Sequence, residues 1–314
     1  MIRDSRFVRS NAFGVRFRLV SHLESSIQQE EHPVDAPAWF TQAIETPTTS
    51  HYVDVSGTPI HYLAWNAQER DKPALLFAHG YRAHARWWSF IAPFLLERFR
   101  VFALDFSGMG DSGSRAAEQY LFTPDILGVI GHAGLGKAVL VGHSFGGGRV
   151  LRTCADHPEY VDRAVIIDTY VNVPELKDRV LPRWVWRPKR VYSTLEAALA
   201  RFRLVPEHNC AAAYVIDYIA RHSIKQVPGG WTWKFDDHFR PRAMEPDGQQ
   251  VSRIEVPLVF MQGELSVAVS TQRTAIVAKY ARHGRAPVVI PGSHHHVMLD
   301  QPLALIAALR AVLY

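Results

Sequence analysis

The stretch Val139-Leu-Val-Gly-His-Ser-Phe-Gly-Gly147 decides the fold, because it joins a buried strand to a helix through a sharp turn. Its centre is a G-x-S-x-G pentapeptide around Ser144. The apolar run before the pentapeptide predicts a strand, and the spacing of apolar residues in Gly146–Asp156 predicts a helix after it. Glycines on both sides of Ser144 leave room for strained backbone. The pattern therefore indicates a serine that projects above the end of a sheet strand.

Continuous apolar runs recur on both sides of this turn. Such runs are typical of strands that are covered on both faces, and helical stretches separate most of them. The runs are Ala74–Ala78, Val101–Leu104, Ala138–Val141, Ala164–Ile167, Leu258–Met261 and Val288–Ile290. The helical stretches include Trp87–Glu97, Gly146–Asp156 and Thr271–Ala281. Two alternating segments, His51–Val55 and Ile60–Trp65, predict a hairpin. The alternation of strands and helices predicts an α/β fold with a mostly parallel, doubly wound sheet.

The alternation stops between residues 170 and 250, where no buried strand run appears. Helical spacing occurs there in Leu195–Phe202 and Ala211–His222. We expect this segment to be a helical cap, inserted into one loop of the sheet. Residues 37–169 and 251–314 then form the core, and residues 1–36, which are weakly patterned, form an N-terminal arm.

The composition sets limits on location and partners. The apolar share of 47% and the charged share of 21% are ordinary for a globular protein. No apolar run approaches the roughly 20 residues that a membrane-spanning helix needs. The net charge is +5, but the basic residues are scattered and no nucleic-acid motif accompanies them. The only two cysteines, Cys154 and Cys210, favour free thiols in a reducing cytoplasm. We expect a cytoplasmic protein with no membrane span and no nucleic-acid partner, and assembly as a homodimer is left open.

Three further motifs accompany the serine pentapeptide. His79-Gly-Tyr81 and Asp105-Phe-Ser-Gly-Met-Gly-Asp-Ser112 each follow a buried strand, and Gly292-Ser-His-His-His-Val-Met-Leu-Asp-Gln-Pro302 lies near the carboxyl end. With these four motifs in order, the chain resembles the α/β-hydrolases of the capped, esterase- and dehalogenase-like group over about residues 50–314. The resemblance implies the α/β-hydrolase fold with a cap.

The resemblance also implies roles for single residues. Ser144 would be the nucleophile, and the backbone N–H groups of Tyr81 and Phe145 would form the oxyanion hole. We interpret the turn that begins at Asp105 as structural.

The base must be chosen among three consecutive histidines. In the family it lies five residues before the acidic residue of a D/E-x-P segment, so that counting back from Asp300 gives His295, with His296 as the alternative. A run of histidines could also suggest a metal site. Consecutive loop residues rarely face one ion, however, so we expect no metal and no cofactor.

A catalytic triad also needs an acidic residue beside the histidine, and here the sequence departs from the family pattern. The acid commonly follows the strand equivalent to Leu258–Met261, but no aspartate occurs there, and Ser266 holds an expected position. Asp168, at the end of an earlier strand, is the first candidate, because some capped relatives carry the acid there and the order serine, aspartate, histidine is kept. Glu264 is the second candidate, and a dyad without an acid is the third.

These features predict a serine hydrolase that cleaves an ester, lactone or related acyl bond through an acyl-Ser144 intermediate, with His295 as general base. Cap tryptophans and Phe235 favour a small-molecule substrate with an apolar or aromatic group. The alternatives are a carbon–carbon bond hydrolase with the same site, a non-catalytic small-molecule-binding protein, and a cofactor-free peroxidase-like activity. Dehalogenase and epoxide hydrolase chemistry is disfavoured, because both use a carboxylate at the position of Ser144.

Overall fold

The computed structural model of the protein describes residues 36–116, 120–176, 189–210, 212–237 and 246–314. The strands are β1 (Thr49–Val55), β2 (Thr58–Trp65), β3 (Ala74–Ala78), β4 (Arg100–Leu104), β5 (Ala138–His143), β6 (Val161–Ile167), β7 (Ile224–Val227), β8 (Gly230–Trp233), β9 (Leu258–Gly263) and β10 (Val288–Ile290). The α-helices are α1 (Ala38–Ile44), α2 (Thr123–His132), α3 (Phe145–Asp156), α4 (Leu195–Leu199), α5 (Ala213–His222), α6 (Gly248–Ser252), α7 (Thr271–Tyr280), α8 (Val297–Asp300) and α9 (Pro302–Leu313).

Eight of these strands form one sheet in the order β1-β2-β4-β3-β5-β6-β9-β10. The pairs β1–β2 and β2–β4 are antiparallel, and the pairs from β4 to β10 are parallel. The prediction of an α/β fold with a mostly parallel sheet is confirmed, as is the hairpin at its edge.

Helices and loops cover both faces of the sheet, as its central strands require. All residues of β3 and β5 are buried. Along β3 successive side chains point to opposite faces. Leu75 and Phe77 pack into one apolar cluster with Trp88, and Leu76 packs into the other with Leu151. The continuous apolar runs of the sequence therefore reflect burial on two sides.

The single helix predicted over Trp87–Glu97 is wrong. Two short 3-10 helices, Ala85–Trp88 and Ala92–Leu95, take its place. Pro93 lacks an N–H group and its ring would clash with the preceding turn, so a continuous α-helix cannot pass through it.

Helices α2, α6 and α8 are absent from the sequence-based prediction. The apolar pattern of α2 is interrupted by Gly128 and Gly131. At Gly128 a side chain would collide with Val55 of the sheet, so the glycine serves close packing of helix on sheet.

The inserted segment contains a pair of short strands beside the helices that the sequence predicts. Helices α4 and α5 are present, but β7 and β8 form a separate antiparallel pair. They meet at a tight turn where Gly229 has a φ of +87°. Two of the cap tryptophans, Trp231 and Trp233, lie on β8. The other two, Trp184 and Trp186, lie outside the described residues, as does nearly all of the predicted N-terminal arm.

Two further expectations concern thiols and membranes. Neither Cys154 nor Cys210 forms a disulfide. Among the described residues, no helix combines the length and apolarity that crossing a membrane requires.

Candidate active site

Ser144 lies on the sharp turn between β5 and α3, with a φ of +51° and a ψ of −117°. This left-handed backbone is costly for a residue with a side chain and is typical of functional sites. Close packing around the turn explains the glycines. A Cβ on Gly142 would lie 2.6 Å from Gly147 Cα, and one on Gly146 would collide with the carbonyl group of Ala78. The backbone of the turn is therefore held by contacts that only glycine permits.

His295 connects the serine to a carboxylate. Its Nε2 lies 2.9 Å from Ser144 Oγ, and its Nδ1 lies 2.7 Å from Asp168 Oδ1. If the serine hydroxyl donates to Nε2, then Nδ1 carries the proton and donates it to the carboxylate. The carbonyl oxygen of His295 also accepts a hydrogen bond from His143 Nε2 at 2.8 Å, which anchors the loop to the strand that carries Ser144.

Asp168 follows the last residue of β6 and is almost completely buried. Its backbone is also left-handed, with a φ of +43°. Besides His295, the N–H of Gly263 donates to Oδ2 at 2.8 Å and the hydroxyl of Ser266 donates to Oδ1 at 2.7 Å. Both carboxylate oxygens thus have donors, as a buried charge requires. These bonds fix the carboxylate against the histidine ring.

Ser266 stands where the commonest family pattern has the acid. In this chain its hydroxyl reaches the Asp168 carboxylate, so the β9 loop supports an acid that comes from β6. The sequence showed the missing aspartate but not this contact, which depends on β6 and β9 being neighbours in the sheet.

Glu264, the second candidate for the acid, lies elsewhere. Its Oε2 accepts a hydrogen bond from the N–H of Gly292 at 2.9 Å. Among the described residues, no contact between Glu264 and His295 is found. The geometry therefore places Asp168 at the histidine, while the catalytic role of Asp168 stays a prediction.

The neighbouring histidines have different surroundings. His296 is buried, and its ring centroid lies 5.0 Å from that of His295. Burial, and after it the neighbouring His295, lowers the pKa of His296 well below the ordinary histidine value. His294 turns away, and its Nδ1 lies 3.4 Å from Asp300. Of the three histidines, His295 is the one that the structure brings to Ser144.

The two predicted oxyanion residues belong to segments that meet at the serine turn. Phe145 is the first residue of α3, where the positive end of the helix dipole stabilises negative charge. Tyr81 follows Gly80, whose backbone approaches the turn so closely that a Cβ would lie 2.9 Å from His143 Nδ1 and 3.6 Å from Ser144 Cβ. The rings of Tyr81 and Phe145 are 5.9 Å apart. The oxyanion roles of their N–H groups stay predictions.

Residues of the inserted segment contact the loops that follow β3 and β4. Phe235 forms a bridge with Met109 in the loop after β4. The guanidinium of Arg82 stacks on the Phe235 ring at 4.3 Å. His84 Nε2 lies 2.9 Å from Ser223 Oγ. Arg82 was not singled out from the sequence, although it directly follows the oxyanion motif.

Comparisons with known proteins identify the family and the fold. The sequence model of a family described as alpha/beta hydrolase fold matches residues 73–302. An esterase of Mycobacterium tuberculosis is 25% identical over 268 residues, which cover 82% of this chain and 88% of that protein. A bifunctional esterase/perhydrolase of Acinetobacter calcoaceticus is 28% identical over 222 residues, or 66% of this chain and 79% of its own. A crystal structure of a Mycobacterium tuberculosis esterase superimposes with a TM-score of 0.66 at 23% identity, covering 88% of this chain and 96% of that one.

Proposed function

This chain is a hydrolase of the alpha/beta hydrolase fold family, and on that premise we propose that it cleaves a carboxylic ester, lactone or related acyl bond through an acyl-Ser144 intermediate. The observation that carries the proposal is the pair of hydrogen bonds from Ser144 through His295 to Asp168, at 2.9 and 2.7 Å. Such a pair converts a weakly nucleophilic hydroxyl into an effective one.

In the first half of the proposed reaction, Ser144 Oγ attacks the acyl carbon while His295 Nε2 takes the hydroxyl proton. Asp168 accepts the Nδ1–H hydrogen bond and stabilises the imidazolium that forms. The N–H groups of Tyr81 and Phe145 hold the oxyanion, and one such donor typically contributes about 3–4 kcal/mol to transition-state stabilisation. When the tetrahedral intermediate collapses, His295 returns the proton to the leaving alcohol.

In the second half, water attacks the acyl-serine ester. His295 now removes a proton from the water, and the same two N–H groups hold the second oxyanion. Collapse releases the carboxylic acid and restores the Ser144 hydroxyl. No cofactor or metal takes part in this proposed sequence.

For the substrate, we propose an apolar or aromatic acyl or alcohol group. The aromatic rings of Tyr81 and Phe145 are 5.9 Å apart, and Phe235 of the inserted segment bridges Met109 in the loop after β4. We also propose that residues 170–250 act as a cap over the carboxyl ends of the central strands, where the serine turn lies. The contacts of Arg82 with Phe235 and of His84 with Ser223 support this assignment.

The test is hydrolysis of p-nitrophenyl acetate, butyrate and benzoate by the purified chain and by Ser144→Ala. We expect turnover by the wild type and a loss of at least about 10⁴-fold in kcat in the variant, as for other serine triads. Equal rates would refute the proposal. Turnover of a dienol-ketone without turnover of any ester would instead favour carbon–carbon bond cleavage by the same site.

A further inference from the structure

A second cluster of polar side chains lies beside the proposed triad but does not belong to it. His208 comes from the inserted segment, His294 from the histidine loop, and Asp300 is the last residue of α8. His208 Nε2 lies 2.9 Å from Asp300 Oδ1, and His294 Nδ1 lies 3.4 Å from Asp300 Oδ2. The proposed hydrolysis uses none of these three side chains.

The spacing of the three groups suits one metal ion. One ligand atom from each of His208, His294 and Asp300 lies within 4.8 Å of the others. Ligands at about 2.0–2.2 Å from a zinc ion lie up to roughly 4 Å apart, so small side-chain rotations would bring all three atoms around one centre. Two imidazoles and a carboxylate are a ligand set that suits zinc and related transition metals.

Burial of two of the three side chains adds to the case. The side chains of His208 and Asp300 are 7% and 5% exposed, whereas that of His294 is 34% exposed and leaves a route from solvent. The nearby Cys210 is not in this group of ligand atoms, and its thiol donates to the Leu299 carbonyl at 3.3 Å. Two imidazole nitrogens favour zinc-type ions over magnesium or calcium, which prefer oxygen ligands.

We propose that His208, His294 and Asp300 bind one divalent transition-metal ion of the zinc type. The run of three histidines did not indicate this site, because only His294 of the run takes part and the other ligands come from distant positions. A bound ion would connect the inserted segment to the loop that carries His295. Binding to the folded state alone would also stabilise the protein.

The test is isothermal titration of the full chain with zinc chloride after removal of metal with a chelator. We expect one high-affinity zinc ion per chain and a thermal unfolding midpoint that rises with zinc concentration. His208→Gln and His294→Gln should each weaken zinc binding by more than about 100-fold, which exceeds the roughly 10- to 100-fold effect of residues outside the ligand set. Cys210→Ser should weaken it by less than about tenfold, because the thiol is not among the three ligand atoms.

His283→Gln is the matched control, since His283 is an exposed histidine that does not belong to the cluster. It should bind zinc like the wild type, and circular dichroism should show that every variant is folded. The proposal is overturned if the folded wild type binds no zinc, or if His208→Gln and His294→Gln bind zinc as tightly as the control.

Discussion

Asp168 Oδ1 and His295 Nδ1 lie 2.7 Å apart, although 127 residues separate them in the sequence. The contact forms because β6, which Asp168 follows, is paired with β9 on one side and with β5, which carries the serine turn, on the other. The hydroxyl of Ser266 reaches across from the β9 loop to the same carboxylate oxygen. The proposed acid thus stands one strand closer to Ser144 than in the commonest family arrangement.

Removing the charge of Asp168 should therefore reduce turnover strongly. We expect Asp168→Asn to lower kcat for a p-nitrophenyl ester by about 10³–10⁴-fold, because the amide cannot stabilise the imidazolium or fix its tautomer. Glu264→Gln is the matched control and should stay within about twofold of the wild type, since that carboxylate bonds to the Gly292 N–H. A wild-type rate in Asp168→Asn would remove this residue from the triad.

Ser266 is expected to be a positioning residue, because it touches Asp168 and not the reacting atoms. Ser266→Ala removes one hydrogen bond to a buried carboxylate, which is worth about 1.5–3 kcal/mol. We predict that kcat falls by about tenfold while KM stays nearly unchanged. Ser266→Thr keeps the hydroxyl and should recover most of the rate. If the threonine variant is as slow as the alanine variant, packing rather than the hydrogen bond explains the loss.

The serine turn should not tolerate a side chain at Gly146. A Cβ there would collide with the carbonyl groups of Ala78 and His79, whereas at Gly148 in the same helix the nearest contact is Pro246 Cδ at 3.1 Å. We predict that Gly146→Ala loses at least about 2 kcal/mol more of the free energy of unfolding than Gly148→Ala, as overpacking against backbone does. Urea unfolding measures both values, and equal values would mean that the turn can relax.

Buried histidines should make the protein less stable in mild acid. Burial holds the pKa of His84 well below its ordinary value of 6.5, so the folded state keeps this ring neutral while the unfolded chain protonates it. As the pH falls below 6.5, the unfolded state binds more protons, and this site lowers the free energy of unfolding by up to about 1.4 kcal/mol per pH unit.

His84→Gln keeps a polar partner for Ser223 but cannot titrate. Between pH 5 and 6.5, its free energy of unfolding should therefore fall less steeply with decreasing pH than that of the wild type. The difference in slope should correspond to the binding of up to about one proton on unfolding. His283→Gln, at an exposed histidine, should follow the wild-type slope. Identical slopes in all three proteins would mean that His84 does not titrate differently in the folded and unfolded states.

The sequence could predict the features that depend on neighbouring residues. The serine turn was evident because a buried strand, a glycine-flanked serine and a helix follow one another directly. The strands of the sheet centre were evident because burial on two faces leaves continuous apolar runs. The helix expected over Trp87–Glu97 failed at Pro93, and the β7–β8 pair was missed because strands of four residues carry little periodicity.

The sequence placed Asp168 first among the candidate acids but could not decide between Asp168 and Glu264, because that decision depends on the order of strands in the sheet. Asp168 and Glu264 are both acidic residues at the ends of strands that could approach the histidine loop. Only the pairing of β6 with β9 brings Ser266 to Asp168 and leaves Glu264 at Gly292. The contact between His208 and Asp300 could not be predicted either. His208 lies in the inserted segment, and the sequence pattern does not indicate where that segment packs.

The most direct test of the central claim, that Ser144 forms a covalent acyl intermediate, is mass spectrometry of the intact chain and of its proteolytic peptides after treatment with a fluorophosphonate. We predict that the wild type gains one phosphonyl group per chain, located on the peptide that contains Ser144, and that Ser144→Ala gains none. A folded wild type that stays unlabelled, or a Ser144→Ala variant that is labelled equally well, would contradict the claim.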